Sequence, residues 1–195
     1  SLGRKITRIT ESNDISIDTG SKIEKIPIPY GLLSNINTRN GKLADALIYR
    51  MKELEITPSP KAYVEAFSLM IRSNRFDCEE KLLNDLRNSK ELFSQTPSTT
   101  FEIALPYITI GKYDLANEIL DLGYEIHKRY NSEFLMDYYL LNKAQIKRHK
   151  GEDFNEQEKK GLQYIAETGS LESKMGAYIL LDLHEDAEKV LLELS

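Results

Sequence analysis

The sequence predicts an all-α fold: a right-handed α-solenoid of about five helical hairpins behind a short irregular or extended N-terminal arm. Three observations predict it. Tyr30 and Tyr63 stand 33 residues apart, and each lies 13 residues ahead of a second apolar anchor, Leu43 or Phe76. That anchor recurs at Tyr113, Phe154 and His184, with successive steps of 33, 37, 41 and 30 residues. Each anchor sits beside a helix start, as in Gly41-Lys42-Leu43-Ala44-Asp45-Ala46 and Gly111-Lys112-Tyr113-Asp114-Leu115-Ala116. A period in the thirties marks helical hairpins that bury their apolar faces only against neighbouring units. Residues 1–26 read as an arm or linker and 27–195 as the solenoid.

In the arm, isoleucines are scattered among Thr, Ser, Asp and Gly without a helical period. Ile15-Ser16-Ile17-Asp18 alternates as a strand does, and Ser12-Asn13-Asp14 suits a turn. Pro27 and Pro29 end the segment. From Ile28 the helical reading is steady. Leu43, Leu47, Met51 and Leu54 form one stripe. Ser59-Pro60 is a helix start, with a capping hydroxyl and a first-turn proline, and Tyr63, Ala66, Phe67, Met70 and Ile71 follow on one face. Leu47 and Phe67 are therefore core candidates. Asp77 and Glu80 suggest a capping box ahead of Leu82, Leu83 and Leu86. The helix from about Ser98 to Ile110 contains Pro106, where a kink is expected. Asp114 to Tyr130, Ser132 to Lys150, Asn155 to Thr168, Leu171 to Leu183 and Glu185 to Leu194 complete the series.

Composition narrows function. With 41% hydrophobic and 29% charged residues the chain is globular in character, and no apolar run reaches the roughly 20 residues that span a bilayer. The lone Cys78 excludes an internal disulfide framework and a cysteine-based zinc cluster. A net charge of −5 opposes a broad phosphate-gripping surface, so any basic face must be local. Residues 1–10 hold Arg4, Lys5 and Arg8 with hydroxyls and no acid, as the end of a transit sequence would. The absence of an initiating Met fits processing or trimming. A mitochondrial matrix location is expected, with the cytoplasm as alternative.

The stretch Ile28 to Ser59 resembles the pentatricopeptide repeat, a relative of the tetratricopeptide repeat. The resemblance rests on Tyr30, Gly41, Leu43, Asp45-Ala46-Leu47, Met51-Lys52-Glu53 and Ile56-Thr57-Pro58-Ser59. A second copy keeps Tyr63, Phe76 and Asp77 with Asn74 in place of the glycine. A third keeps Phe101, Gly111 and Ala116 but is one residue short in its first helix. Copies four and five look equally like tetratricopeptide units or generic hairpins. The resemblance implies organellar RNA binding, with about one base read per repeat. Its base-reading positions fall here on Gly31 and Ser59 in copy one, Val64 and Pro97 in copy two, and Glu102 in copy three, with Lys61 alongside. Only Ser59 approaches the small polar residues that the family uses. Val64 cannot hydrogen-bond a base edge, and Glu102 repels phosphate.

Residues that could carry chemistry are few. His127, His149 and His184 lack ligand-spaced partners, and no glycine-rich phosphate loop is present. Cys78 in a first helical turn reads either as a thiol of lowered pKa or as a small apolar filler. Two basic clusters remain, His127-Lys128-Arg129 and Lys147-Arg148-His149-Lys150. Both end helices, where cations complement the dipole. Their functional reading is a phosphate track of Lys128, Arg129, Lys147, Arg148 and Lys150, with Tyr124 and Tyr130 as stacking surfaces. The chain therefore reads as a non-enzymatic binding module without a cofactor. Two functions stand: a pentatricopeptide-like factor in organellar RNA metabolism or translation, within a larger assembly, or a tetratricopeptide-like protein scaffold. A protein partner is expected, single-stranded RNA is the other candidate, and neither DNA binding nor membrane insertion is expected.

Overall fold

The computed structural model describes residues 5–9, 14–18, 23–131 and 135–194, with side chains from Ile28 onward. Close contacts group the chain up to Pro58 into one compact unit and the chain from Ser59 into a second.

The first unit opens with strands β1 (Lys5–Ile9), β2 (Asp14–Asp18) and β3 (Ile23–Pro27) in an antiparallel sheet of that order. The alternating segment Ile15–Asp18 is thus a strand, flanked by two others that the scattered isoleucines did not reveal. The turn expected at Ser12-Asn13 lies outside the described residues. Ile15 pairs with Ile9 on one side and Ile26 on the other, and the register shifts between Ile6 and Arg8. Pro27 closes β3, an edge strand, where a missing amide donor is tolerated. Helices α1 (Tyr30–Arg39) and α2 (Leu43–Ile56) then pair as a hairpin. Leu47 is buried there, as its stripe requires.

The second unit holds α3 (Pro60–Arg72), α4 (Glu79–Asn88), α5 (Thr99–Thr109), α6 (Tyr113–Tyr130), α7 (Met136–His149), α8 (Glu156–Thr168), α9 (Leu171–Leu180) and α10 (His184–Leu194). Short 3-10 turns at Phe76–Cys78 and Lys90–Phe93 flank α4. The start of α7 expected at Ser132 falls outside the described residues. Consecutive helices pair as hairpins, and α3, α5, α7 and α9 also pack each on the next, forming one continuous layer. That skip-one packing is what a stack of hairpins requires.

All five hairpins turn on the same device. The first helix of each ends in a left-handed residue: Gly41 (φ 74°), Asn74 (φ 54°), Gly111 (φ 77°), Gly151 (φ 71°) or Asp182 (φ 60°). Its amide donates three residues back and the next amide five residues back, for example Gly111 to Ile108 and Lys112 to Tyr107. These paired bonds are a Schellman motif, and Asn or Asp can replace Gly because their short polar side chains tolerate that backbone. Asn74, a departure in the sequence pattern, therefore keeps the geometry that the glycine keeps elsewhere.

Other caps differ from expectation. The Ser59 hydroxyl accepts from the Ala62 amide, as read. The box expected at Asp77 and Glu80 does not form: Arg75 takes both Asp77 oxygens, at 2.8 and 2.9 Å, and α4 starts later without a side-chain cap. A complete capping box stands instead at Asn155 and Glu158. Pro106 is interior to α5 and removes the donor that would bond the Glu102 carbonyl.

Phe67 is fully buried and meets Tyr107 edge-on at 6.0 Å, while Phe93 fills a second core position against Tyr63 at 5.6 Å. Ion pairs tie neighbouring hairpins along α6. Asp114, Glu118, Asp121 and Glu125 form a stripe, paired in turn with Lys150, Arg87, Lys143 and Lys90. Tyr139 also donates to Asp121 at 2.8 Å, and burial followed by that bond raises its phenol pKa.

Candidate functional site: the cleft between α3 and α5

The amphipathic pattern of α3 decides what it presents. Ala62, Tyr63, Ala66, Phe67, Leu69 and Met70 are buried, which leaves Lys61, Val64 and Glu65 on the outer side. In α5 the residues Phe101, Ile103, Ala104, Tyr107 and Ile108 are buried, which leaves Glu102 and Leu105 outward. Because α3 and α5 lie side by side, Lys61, Val64, Glu65 and Glu102 face a shared cleft of about 570 Å³. Ser59, Pro60, Lys61, Val64 and Glu65 form one wall, and Thr96, Thr99 and Glu102 the other. Apolar surface from Val64, Pro60 and the threonine methyls lies between two carboxylates. Lys61 stands at the rim, 3.9 Å from Glu65. The cleft suits a ligand with an apolar group flanked by hydrogen-bond donors or a cation.

Four of the residues singled out from the sequence, Ser59, Lys61, Val64 and Glu102, meet in this cleft. Repeat-equivalent positions of adjacent first helices become neighbours once those helices stack. Glu65, Thr96 and Thr99 were not anticipated; Glu65 could have been found by extending the helical face one step beyond Val64. Pro97, the other candidate in copy two, is buried, and its carbonyl accepts from the Thr100 hydroxyl at 2.8 Å.

Gly31 belongs to the first unit and serves an internal role. A Cβ there would lie 2.6 Å from a Glu53 carboxylate oxygen. That carboxylate accepts from Arg50, which is buried and also donates to Asn35 at 2.9 Å. The glycine makes room for this ion pair.

The basic clusters are largely engaged. Lys147 donates to both Glu158 oxygens at 2.9 and 2.8 Å. Arg148 donates to the Ile179 and Leu180 carbonyls at the end of α9 and pairs with Asp182. Lys150 reaches Asp114 at 3.2 Å and Glu152 at 3.6 Å, and the Asp114 bond raises its pKa. These cations link α7 to α6, α8 and α9. Lys128 and Arg129 instead lie over tyrosine rings, Tyr124 at 4.5 Å and Tyr130 at 5.4 Å. His127 stacks on Tyr124 and His149 on Tyr113. Burial raises the pKa of Cys78, which favours the filler reading over a reactive thiol. Among the described residues no group of three or more His, Cys, Asp or Glu could hold a metal, and no helix is long and apolar enough to cross a membrane.

Two solved structures resemble this arrangement. Crystal structures of a point variant of kinesin-light-chain-type, nearly identical TPR-like repeats from Podosopora anserina, and of those repeats without the substitution, superpose with TM-scores of 0.54 and 0.53. The fold is TPR-like. The first match covers 84% of this chain and 90% of the other, the second 83% and 90%, both at 16% identity. At that identity the likeness extends to the fold alone. No protein-family model and no curated protein matches the chain.

Proposed function

We propose that this chain is a non-catalytic protein-binding scaffold whose cleft between α3 and α5 receives a peptide or helix of a partner. The observation that carries the reading is the contrast between that cleft and the basic clusters. The cleft has apolar walls and two carboxylates, whereas Lys147, Arg148 and Lys150 are spent on contacts between helices. A photo-crosslinking amino acid at Val64 tests it. Protein adducts are expected, and they should be lost on Glu102→Lys, which reverses the charge of the opposite wall. Adducts digested by ribonuclease, or adducts indifferent to Glu102→Lys, would defeat the proposal.

A second reading, a pentatricopeptide-like RNA factor of the mitochondrial matrix, is favoured by the pattern from Tyr30 to Ser59 and by Lys128 and Arg129 over their tyrosine rings. It requires that labelled single-stranded RNA bind with log affinity falling by roughly 0.7 per log salt for each phosphate neutralised. Lys128→Ala with Arg129→Ala should then weaken binding and flatten that slope. The scaffold reading expects negligible RNA affinity at physiological salt.

A further inference from the structure

The layer of first helices has one open face. Helix α6 packs on both α5 and α7 and so covers the other side. On the open face α5 presents Glu102 and, three residues on, Leu105, which is 46% exposed. Across the next groove Tyr138 of α7 stacks on Phe101 at 6.5 Å and is itself 43% exposed. Phe101 and Leu105 are four residues apart on one side of α5, so Leu105 and Tyr138 border a single apolar patch. Beside that patch stands Glu102, which has no counter-ion among the described residues, whereas the four carboxylates along α6 are each paired. The Thr96 and Thr99 hydroxyls on the Glu102 wall likewise bond no other described group. This face belongs to the middle of the stack. Further hairpins would lengthen the layer at its ends without covering it.

We infer that the face from the α3–α5 cleft to this patch reads an extended segment of a partner protein in which Lys or Arg stands three residues from a large apolar residue. The inference rests on the scaffold reading of the cleft and adds what the partner must carry. Charge decides the first subsite. The stem of a Lys or Arg lies along Pro60 and Val64 while its head group pairs with Glu102, and the same carboxylate repels phosphate. Spacing decides the second. Neighbouring helix axes lie roughly 8–10 Å apart. A polyproline-type segment has about three residues per turn and rises about 3.1 Å per residue, so residues three apart share one side at a separation of about 9 Å. That matches the step from cleft to patch. The unbonded threonine hydroxyls favour such a segment over a helix, because its backbone amides and carbonyls seek partners and those of a helix are already paired.

The test pans a random peptide library displayed on phage against the full chain. Enriched sequences should carry Lys or Arg three residues from a large apolar or aromatic residue. In fluorescence anisotropy, enriched peptides should bind about tenfold or more weakly to Glu102→Gln and to Leu105→Ser. The loss on Glu102→Gln should vanish for a peptide with Ala in place of its cation, and the loss on Leu105→Ser for one with Ala in place of its apolar residue. Both side chains are exposed, so circular dichroism should show the variants folded as the parent is. No enrichment, enrichment of acidic residues, a spacing of seven as a helix would give, or losses that persist with the Ala peptides would overturn the inference. So would displacement of the peptide by single-stranded oligouridylate, a concentration-dependent dimer that Leu105→Ser abolishes, or intramolecular adducts from Val64, since RNA, a second copy or the chain itself would then hold the face. The Val64 crosslinks separate the two claims. Protein adducts lost on Glu102→Lys, together with a failed selection, remove this inference alone, and the lack of any protein adduct removes both.

Discussion

Phe67→Ala tests the stacking of α3 on α5 at its centre. The side chain is 0% exposed and its ring meets Tyr107 edge-on at 6.0 Å. Truncation removes the transfer free energy of the ring and leaves a cavity that two packed helices cannot readily close, a loss of about 3–5 kcal/mol. Within that, the aromatic contact accounts for roughly 0.5–1.5 kcal/mol beyond burial. Phe67→Leu, which keeps most of the volume, should cost about 1.5 kcal/mol or less. The chain has no Trp and 11 Tyr, so urea unfolding would be followed by tyrosine fluorescence and far-UV circular dichroism together. Coincident transitions license a single free energy, whereas diverging ones would show hairpins unfolding separately. A cycle with Tyr107→Ala should return a coupling of about 0.5–1.5 kcal/mol. A loss below about 1 kcal/mol for Phe67→Ala, or no coupling to Tyr107, would refute the register that places these helices side by side.

Three further outcomes are expected. Gly123→Ala should destabilise the fold by about 1–3 kcal/mol despite a helix-propensity gain of roughly 1 kcal/mol, because packing strain wins; the added Cβ would lie 2.0 Å from the Thr100 hydroxyl and 3.1 Å from the Pro97 carbonyl, and thermal melting checks it. Asn74→Gly should raise stability by a few tenths to about 1 kcal/mol and Asn74→Val should lower it, since only the glycine is unstrained at positive φ; paired urea midpoints decide it. Burial opposes ionisation of Glu158, but Lys147 and the Asn155 amide outweigh it and hold the carboxyl below the usual range. Its contribution is then present above the ordinary glutamate pKa and lost as pH falls below that value and through the lowered folded one, so Glu158→Gln should flatten the acid side of the stability profile.

Much of the fold could be read from the chain itself. Anchors at Leu43, Phe76, Tyr113 and Phe154 mark the hairpins because a helical repeat places an apolar residue where its second helix meets its first, whereas His184 keeps the position but is polar and exposed. Ser59-Pro60 likewise announced α3, since capping is local chemistry. The β-sheet was legible only in part, at Ile15–Asp18, because pairing partners are chosen across the chain and not within a strand.

The cleft was half visible. Periodicity pointed to Ser59, Lys61, Val64 and Glu102, but only side-by-side packing of α3 and α5 turned them into one wall-lined site with Thr96 and Thr99. The fate of the cations lay further from reach. Lys147, Arg148 and Lys150 look like a phosphate track along the sequence, and whether a cation faces solvent or a carboxylate on another helix is settled by which helix ends meet. Local sequence determined where helices begin, turn and bury a face, because those choices involve neighbours within a turn or two. Tertiary structure alone decided which charges are neutralised and which apolar stripes stay uncovered, because both depend on the next hairpin in the stack.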